Sequence, residues 1–433
     1  MVSGDLITFF IDSHDQDVSY ITIVIDKSIV NALYEYALKF YKDKARVVGF
    51  APGSTPLSYL EYTFRPTILE HLKEVLFNHC VIHHVYKGIM EHSLVVIGDP
   101  LLHTIEINPP SQNARFIFEC AIVCPRAQDD WKKLLFKAPQ RKNYKDLDRQ
   151  VELFMKDEEE KAQKYEEQGI EIQDMVCFDV SLVNQEQQLL LGNYESKLWL
   201  RMSDEEIDKD TQALFMHKKI GDTFFTHKVF FHDYSTAEHH MPYLFKVTIR
   251  DYLSHMFFSL DYFKHHFKIK SSKDIHHKLI EVFSYRHDIS QRRETVEASL
   301  RLLLNMYQLF IPDGLIKRQT EIVLDEVREN PDYHVYKAQR DFKMKVRMLA
   351  EKQLKERALI DFIAAQEKMA IETDDMMSYL NFLKRPRTKE FVYFNTPATK
   401  IHEKEVPLST EIIRQACLRE KALNHVLAHL IKK

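Results

Sequence analysis

Histidine is the residue with the most obvious chemical potential in this sequence, since the 433 residues include 22 of them. His79 and His83 are four residues apart, a spacing that places two imidazoles on one face of a helix. A structural zinc site needs four convergent ligands at close spacing, and neither this pair nor the adjacent-histidine pairs have cysteine or acidic partners in that pattern. We therefore predict no metal ion and no cofactor, and interpret the histidines as structural residues.

The cysteines and serines do not form a catalytic pattern. The cysteines are scattered and odd in number: Cys80, Cys120, Cys124, Cys177 and Cys417. Cys120 and Cys124 lie in a strand-like stretch and lack a second pair of ligands. No serine lies in a nucleophile-elbow motif, and neither GxGxxG nor GxxxxGK[ST] occurs. We predict no catalytic residue and no nucleotide binding through those motifs, and this cysteine usage favours a reducing cytosol.

Composition favours a helix-rich protein of two to four domains. The nine glycines are about 2% of the chain, against a typical ~7%, which disfavours glycine-rich phosphate loops. The net charge of −4 does not predict a dominant nucleic-acid surface. No stretch approaches the roughly 18 apolar residues of a membrane span, and the N-terminus lacks the basic region of a signal peptide. We therefore expect no membrane partner.

Residues 1–126 are predicted to form an α+β unit. We expect strands at residues 6–11 and 18–26, a helix capped by Asp26, a second helix capped by Thr55 and broken at Pro66, a third ending near Val85, and strands near residues 94–97 and 116–122. Residues 127–171 are highly charged, with Leu147, Val151 and Phe154 at helical spacing. This pattern predicts a solvated helical linker, whose acidic run at 157–160 forms part of the exposed face.

The second half of the chain changes from strand-like to helical patterns. Residues 172–250 contain strand-like runs, whereas helical spacing prevails over residues 251–433, with a stop at Pro312. One long helix has Val346, Leu349, Ala350 and Leu354 in its apolar pattern, and a proline-containing loop or strap follows later. Methionine and phenylalanine are plentiful (14 and 28), which suits either ordinary cores or adaptable binding surfaces. The predicted fold class is multidomain α+β with an all-α C-terminal domain.

Two of the scarce glycines occur together in RVVGFAPGSTPLSYL, residues 46–60, between the first two predicted helices. Gly49 and Gly53 bracket Phe50 in a Gly-Phe-x-x-Gly loop. This loop, its flanking elements and the order of the later regions resemble trigger factor, the bacterial chaperone that receives nascent polypeptides at the ribosomal exit tunnel. The resemblance covers nearly the whole chain, and residues 309–316 look like the family's junction at the start of a helical arm.

The resemblance implies a domain organisation. It implies a ribosome-binding-type α+β domain at 1–126, a charged helical linker at 127–171, a degenerate β-rich prolyl isomerase domain of the FKBP type at 172–250, and a helical chaperone domain with arms at 251–433. By resemblance, the partner-binding loop residues are Gly49, Phe50, Ala51, Pro52, Gly53 and Ser54.

The loop departs from the family in its charges. In the family, an arginine and a lysine of this loop support docking on a ribosomal protein and RNA, whereas this sequence has Ala51 and Ser54 at those positions. Charge-assisted contacts are therefore absent at both positions. Phe50 remains as an exposed apolar anchor. Lys42, Lys44 and Arg46 either replace the lost charges in part or form an ordinary basic helix end.

The middle region also departs from the family. FKBP-type pockets are apolar and stabilise the twisted imide of a prolyl bond. By resemblance, Tyr234 and Phe245 are candidate pocket aromatics, and Ile207 is a candidate pocket residue. The family's Ile-Pro-Gly-Phe segment is replaced by the acidic residues 203–210, which predicts an open or absent pocket.

The leading functional hypothesis is an ATP-independent cytosolic chaperone. Such a protein would shield apolar segments of unfolded or nascent polypeptides in a cradle formed by the arms and the N-terminal domain, with the ribosome as a second partner. One alternative is an active peptidyl-prolyl cis-trans isomerase. The other is a holdase or assembly factor that acts as a homodimer and independently of the ribosome.

Overall fold

The computed structural model describes residues 6–13, 18–44, 47–51, 53–122, 130–140, 145–165, 169–192, 194–227, 243–397, 400–401 and 404–431. The fold mixes α and β elements, as predicted. The N-terminal unit consists of β1 (Ile7–Ser13), β2 (Ser19–Ile25), α1 (Lys27–Lys44), α2 (Leu57–Leu76), α3 (Ile82–Glu91), β3 (Val96–Glu106) and β4 (Ala114–Ile122). Its antiparallel sheet has the order β1-β2-β4-β3.

Alternating burial explains how this sheet packs. Ile21, Ile23 and Ile25 on β2 are fully buried, because alternate residues of a strand point to the same face.

The backbone N–H of Ser28 donates to Asp26 Oδ1 over 2.8 Å, which confirms Asp26 as the cap of the first helix. A π-helical turn, Phe77–Val81, joins α2 to α3.

Two predictions for the second helix are wrong. It begins at Leu57 with Pro56 at the N-cap, so Thr55 lies one residue before the cap and is buried. It also continues through Pro66. Proline removes one backbone hydrogen bond to the carbonyl four residues earlier, at Tyr62, which is 87% exposed and therefore accessible to water.

The charged segment is a helix, as predicted, but it is not a solvated linker. α4 (Lys145–Lys164) buries Val151 completely and packs Leu147 and Phe154 against the same apolar cluster. Glu158, predicted to lie on an exposed face, is only 2% exposed. It accepts hydrogen bonds from the backbone N–H of Phe258 and from Arg385, and these contacts compensate for the burial of its charge.

The middle region comprises β5 (Met175–Val183), β6 (Ser196–Arg201), α5 (Lys209–Phe215), β7 (Thr223–Thr226) and β8 (Leu244–Leu253). The C-terminal region follows with α6 (Leu260–Phe267), α7 (Ser272–Phe283), β9 (Tyr285–Arg286), β10 (Ile289–Ser290), α8 (Gln291–Met306), α9 (Asp313–Arg328), α10 (Tyr333–Lys337), α11 (Phe342–Gln366), α12 (Thr373–Leu383), β11 (Lys400–Ile401), β12 (Lys404–Glu405), β13 (Leu408–Ser409) and α13 (Thr410–Ile431). The long helix and the last helix are confirmed, but the short strands make the prediction of an all-α region wrong.

The segment predicted as a strap becomes part of the middle sheet. The sheet has the order β13-β6-β5-β8-β7, so residues from near the C-terminus complete its edge. Leu408 pairs with Trp199, and the preceding N–H of Glu405 donates to Asp208 Oδ1 over 3.3 Å. Backbone pairing of this kind is non-local and leaves little trace in local sequence pattern.

One apolar cluster runs through both the N-terminal unit and the middle sheet. It includes Leu33 on α1 and Leu72 on α2 together with Phe178 on β5 and Phe245 on β8. The first 126 residues and residues 172–250 therefore share a core. The domain boundary predicted from the sequence therefore separates two regions that pack directly on one another.

Candidate functional site: two exposed apolar surfaces

The loop between α1 and α2 is shaped by backbone conformation. Gly49 and Gly53 have φ angles of +92° and +79°, a region that residues with a Cβ rarely adopt. A Cβ at either position would meet nothing within 4 Å. Glycine is therefore favoured here by the positive φ of the backbone and not by a lack of space. The N–H of Phe50 donates to the carbonyl of Val47 over 3.2 Å, and the N–H of Ser54 donates to that of Ala51 over 3.0 Å.

Apolar side chains surround this loop. We define the loop surface by five exposed residues: Val48, Phe50, Leu57, Tyr59 and Tyr62. Val48 is 98% and Phe50 38% exposed, and the rings of Phe50 and Tyr59 lie 5.3 Å apart between centroids. The structure therefore presents Phe50 as the predicted exposed residue within a larger apolar group.

The other predicted loop residues with side chains are Ala51, Pro52 and Ser54. Ala51 is exposed and Ser54 also bonds the Ala51 carbonyl through its hydroxyl over 2.7 Å, whereas Pro52 lies outside the described residues. Of the basic residues that precede the loop, Lys42 is half-buried. Arg46 and the side chain of Lys44 lie outside the described part of the chain.

The predicted prolyl-pocket residues lie in different environments. Phe245 is 1% exposed on β8, whereas Ile207 is 51% exposed on a short 3-10 helix, Glu206–Asp208. Tyr234 lies outside the described residues. The Phe245 ring stacks on His79 of the π-helical turn at 5.1 Å between centroids, so it is enclosed by the N-terminal unit.

His79 is the centre of this contact between the N-terminal unit and the middle sheet. Its Nδ1 lies 3.0 Å from Ser196 Oγ, and the Tyr194 hydroxyl donates to its carbonyl over 2.7 Å. Burial lowers the pKa of His79 to about 3, because the protein interior disfavours the charged imidazolium. Nearby, the Tyr243 hydroxyl donates to the carbonyl of Leu33 over 3.3 Å.

Metal ligands, cysteines and membrane-spanning helices are the other features that bear on function among the described residues. Those residues contain no group of three or more His, Cys, Asp or Glu side chains that could hold a metal ion. Cys80, Cys120, Cys177 and Cys417 are free and buried, and Cys124 lies outside these ranges. Among the described helices, none is long and apolar enough to cross a membrane.

A second exposed surface lies on a helical hairpin formed by α9, α10 and α11. Val323 on α9 packs against Val346 and Ala350 on α11, and these three residues form the buried seam of the hairpin. At about 100° per residue, Met344 and Met348 lie about 160° around α11 from that seam. Both methionines face outward and are 59% and 60% exposed, where a solvated helix would ordinarily place polar residues.

Further exposed apolar side chains lie on α10 at the hairpin tip and on α11 next to the methionines. We define the hairpin surface by Val335, Tyr336, Met344, Met348 and Leu349, whose exposed fractions range from 40% to 65%. Leu349 was predicted within the apolar pattern of the helix and is 41% exposed. Met344 and Met348 fall outside the four-residue repeat of the buried residues Val346, Ala350 and Leu354. This spacing is visible in the sequence and could have indicated that the two methionines face away from the core.

The base of the hairpin is anchored on the N-terminal sheet. Ile311, Leu315 and Ile316 from the predicted arm junction pack with Val95 and Ile97 at the start of β3. Pro312 is the N-cap of α9, as its place before a helix favours. The hairpin therefore projects its exposed face from a fixed, buried base.

Within the described residues, two separate groups of exposed apolar side chains lie on a mixed α and β fold, and larger exposed apolar patches commonly mark interaction surfaces. Comparison with known proteins relates one of these surfaces to a family. Residues 11–153, which include the loop surface, match the family model described as bacterial trigger factor protein (TF).

A relative extends the comparison along the chain, and one solved structure shows a weak similarity. The chain is 20% identical over 407 residues to "Trigger factor" of Desulfatibacillum aliphaticivorans, covering 89% of this chain and 88% of that protein. It is also similar to a solved chain from "Promiscuous Substrate Recognition in Folding and Assembly Activities of the Trigger Factor Chaperone", at 15% identity and a TM-score of 0.37, over 96% of this chain and 98% of that one. The sequence matches support a relationship to the trigger factor family, most directly for the N-terminal third.

Proposed function

We propose that this protein is a trigger-factor-type chaperone that binds apolar segments of unfolded or nascent polypeptides in the cytosol without nucleotide hydrolysis. The single observation that carries the proposal is the outward pair Met344 and Met348 on a hairpin with a buried, anchored base. The relationship of the N-terminal third to trigger factor supports the same role.

Methionine suits this role chemically. Its unbranched thioether side chain adapts to partners of different shape, and promiscuous binding surfaces are enriched in it. Burying the exposed part of one such side chain contributes about 1–2 kcal/mol. Five exposed side chains therefore contribute on the order of 5–10 kcal/mol before the cost of association, which gives weak binding and release without an energy source.

Aggregation suppression tests the chaperone proposal. A denatured reporter protein is diluted into buffer without nucleotide, and light scattering is recorded against chaperone concentration. We expect Met344→Ser/Met348→Ser to raise the concentration for half-suppression by about thirtyfold or more, since it removes two apolar contacts worth about 1–2 kcal/mol each. Leu153→Ser/Met256→Ser is the matched control, because those residues are similarly exposed, at 58% and 48%, and lie outside the hairpin. Equal activity of both double variants would refute the assigned surface.

We also propose that the loop surface is the ribosome-docking site, with weak affinity. The family match covers this loop, and Phe50 is exposed on it, but Ala51 and Ser54 replace the charged residues of the family. Co-sedimentation with ribosomes tests this assignment. We expect Phe50→Ala to reduce pelleting and Ala51→Arg/Ser54→Lys to increase it, because the latter restores charge-assisted contacts.

The control for docking is Leu135→Ala, which removes an apolar side chain that is 84% exposed elsewhere on the protein. Tight pelleting of the wild type that is unaffected by Phe50→Ala would refute the docking site. Failure to pellet at low and at physiological salt would remove the ribosomal role and leave the chaperone proposal standing.

A homodimer formed through the loop surface is the second candidate, favoured by the same five exposed apolar residues without loop charges. Sedimentation equilibrium of the wild type and Phe50→Ala distinguishes it. A dimer that Phe50→Ala dissociates would support a holdase that acts away from the ribosome. A monomer at micromolar concentration would exclude it.

A further inference from the structure

The hairpin surface is strongly basic in a chain that is acidic overall. Residues 333–349 contain five Lys or Arg and one Asp, a local net charge of +4, whereas the whole chain has a net charge of −4. The five cations are all exposed: Lys337, Arg340, Lys343, Lys345 and Arg347. They occupy the same short stretch as the five apolar residues of the hairpin surface.

The geometry of α11 places cations on both sides of the methionine pair. At about 100° per residue, Lys343 and Arg347 lie about 100° to one side of Met344 and Met348, and Lys345 lies with Leu349 about 100° to the other. An apolar segment resting on the methionines would therefore have ammonium or guanidinium groups along both edges.

Some of these cations already have partners and some are available. Lys345 pairs with Asp341 at 3.1 Å, and Arg347 pairs with Asp313 at 2.9 Å. Within the part of the chain that the structure describes, no carboxylate lies within ion-pair distance of Arg340 or Lys343. These two charges are therefore free to interact with a bound partner.

The positive charge of the hairpin is concentrated on one side of its tip. Asp313, Glu321, Asp325 and Glu326 on α9 are nearly balanced by Lys317, Arg318 and Arg328, which leaves that helix a net charge of −1, and Arg328 pairs with Asp325 at 2.6 Å. The excess of cations therefore lies on α10 and the start of α11. The exposed methionines lie on the basic helix.

We propose that the hairpin surface selects apolar segments that are flanked by acidic residues. Apolar contact with Met344 and Met348 supplies affinity, and Arg340 and Lys343 supply selectivity through the charge of the flanks. Basic flanks are disfavoured because like charges repel across the contact. Four of the five apolar side chains of the hairpin surface are aliphatic or thioether and only Tyr336 is aromatic, which favours a polypeptide over RNA, since single-stranded nucleic-acid sites stack successive bases on several aromatic side chains. This inference rests on the proposed chaperone function and specifies its substrate class.

The test uses the full chain and three labelled peptides with one apolar core, flanked by Glu, Ser or Lys. Fluorescence anisotropy gives Kd at about 50 mM and about 500 mM salt. We expect the Glu-flanked peptide to bind about fivefold more tightly than the Ser-flanked one, the size expected of one or two exposed ion pairs, with the difference largely lost at high salt. The Lys-flanked peptide should bind most weakly.

Two charge-reversal variants locate the effect. Arg340→Glu/Lys343→Glu should abolish or invert the preference while leaving binding of the Ser-flanked peptide within about twofold. Lys270→Glu/Lys273→Glu makes the same change in net charge next to and within the first turn of α7, outside the hairpin, and should retain the preference.

The outcomes separate this inference from the proposed function. Equal binding of all three peptides, or preference for Lys flanks, overturns the inference and leaves the chaperone proposal intact. Displacement of the Glu-flanked peptide by single-stranded RNA also overturns it, because the cations would then belong to a nucleic-acid site. No binding of any peptide removes both proposals.

Discussion

Acidification from pH 7 to pH 4 should loosen the contact between the N-terminal unit and the middle sheet, because His79 is buried there as the neutral imidazole. His79 is 1% exposed, and its folded-state pKa is lowered from 6.5 to about 3 by desolvation. Between pH 6.5 and about pH 3 the unfolded chain binds the proton and the folded chain does not. The stability contributed by His79 is therefore complete above pH 6.5 and is lost as the pH falls toward the folded pKa.

The loss in free energy of unfolding depends on how far the pH falls below 6.5, the ordinary pKa of histidine. From pH 6.5 to pH 4 is about 2.5 pKa units, and at about 1.36 kcal/mol per unit the folded state loses about 3 kcal/mol of free energy of unfolding at this one residue. This is a large share of the 5–15 kcal/mol typical of a folded protein, roughly a fifth to three-fifths.

Urea unfolding at both pH values, followed by tryptophan fluorescence, measures this loss. Trp199 is a suitable reporter because it is buried on β6, three residues from Ser196. His79→Asn keeps a polar group that can reach Ser196 but cannot be protonated, so we expect it to be less stable at pH 7 and to lose about 3 kcal/mol less than the wild type on acidification. His103→Asn, at an exposed position, is the control for the substitution itself. An acid-induced loss in His79→Asn equal to that of the wild type would refute the reasoning.

Three further predictions concern packing and activity. Glu420→Gln should lower the free energy of unfolding by about 2–4 kcal/mol, measured by urea titration, because it leaves the 2%-exposed Arg292 without its buried counter-charge at 3.4 Å. Gly88→Ala should destabilise the protein by about 1–2 kcal/mol despite the helix preference for alanine, because the added Cβ would lie 2.2 Å from the Phe9 ring, and Phe9→Leu should restore part of that loss in a double-mutant cycle. A protease-coupled proline-peptide assay should show no acceleration at micromolar protein, because Phe245 is enclosed against His79.

Each of these has a clear contrary result. A Glu420→Gln variant as stable as the wild type would mean that Arg292 is not held by this charge. Additive effects of Gly88→Ala and Phe9→Leu would mean that the two residues do not clash. Catalysis of prolyl isomerisation would mean that a prolyl site exists elsewhere than at Phe245.

Local pattern was sufficient for the regular elements and for the shape of the loop. Strand-like residue types over residues 18–26 predicted β2, and Asp26 was predicted as the cap of the first helix. Gly49 and Gly53 indicated a loop between the first two helices, and both have positive φ in the structure. These features depend on interactions between residues close in sequence, so their signals are local.

Other features depended on distant partners. α4 looked like a solvated linker because most of its residues are charged, yet Val151 and Glu158 are buried by contacts with residues such as Phe258, about a hundred positions away. Methionines at 344 and 348 were compatible with a core or with a surface. The tertiary structure exposes them, because Val346 and Ala350 form the buried seam of the hairpin with Val323 of the neighbouring helix.

The sequence by itself determined the types of element, the glycine-framed loop with Phe50, the loss of two loop charges at Ala51 and Ser54, and the order of regions that resembles trigger factor. The tertiary structure decided that Phe245 lies beneath His79, that β13 completes the middle sheet and that Met344 and Met348 point outward. The physical reason is that helix and strand periodicity arises from neighbouring residues, whereas burial depends on which surface meets which across the folded chain.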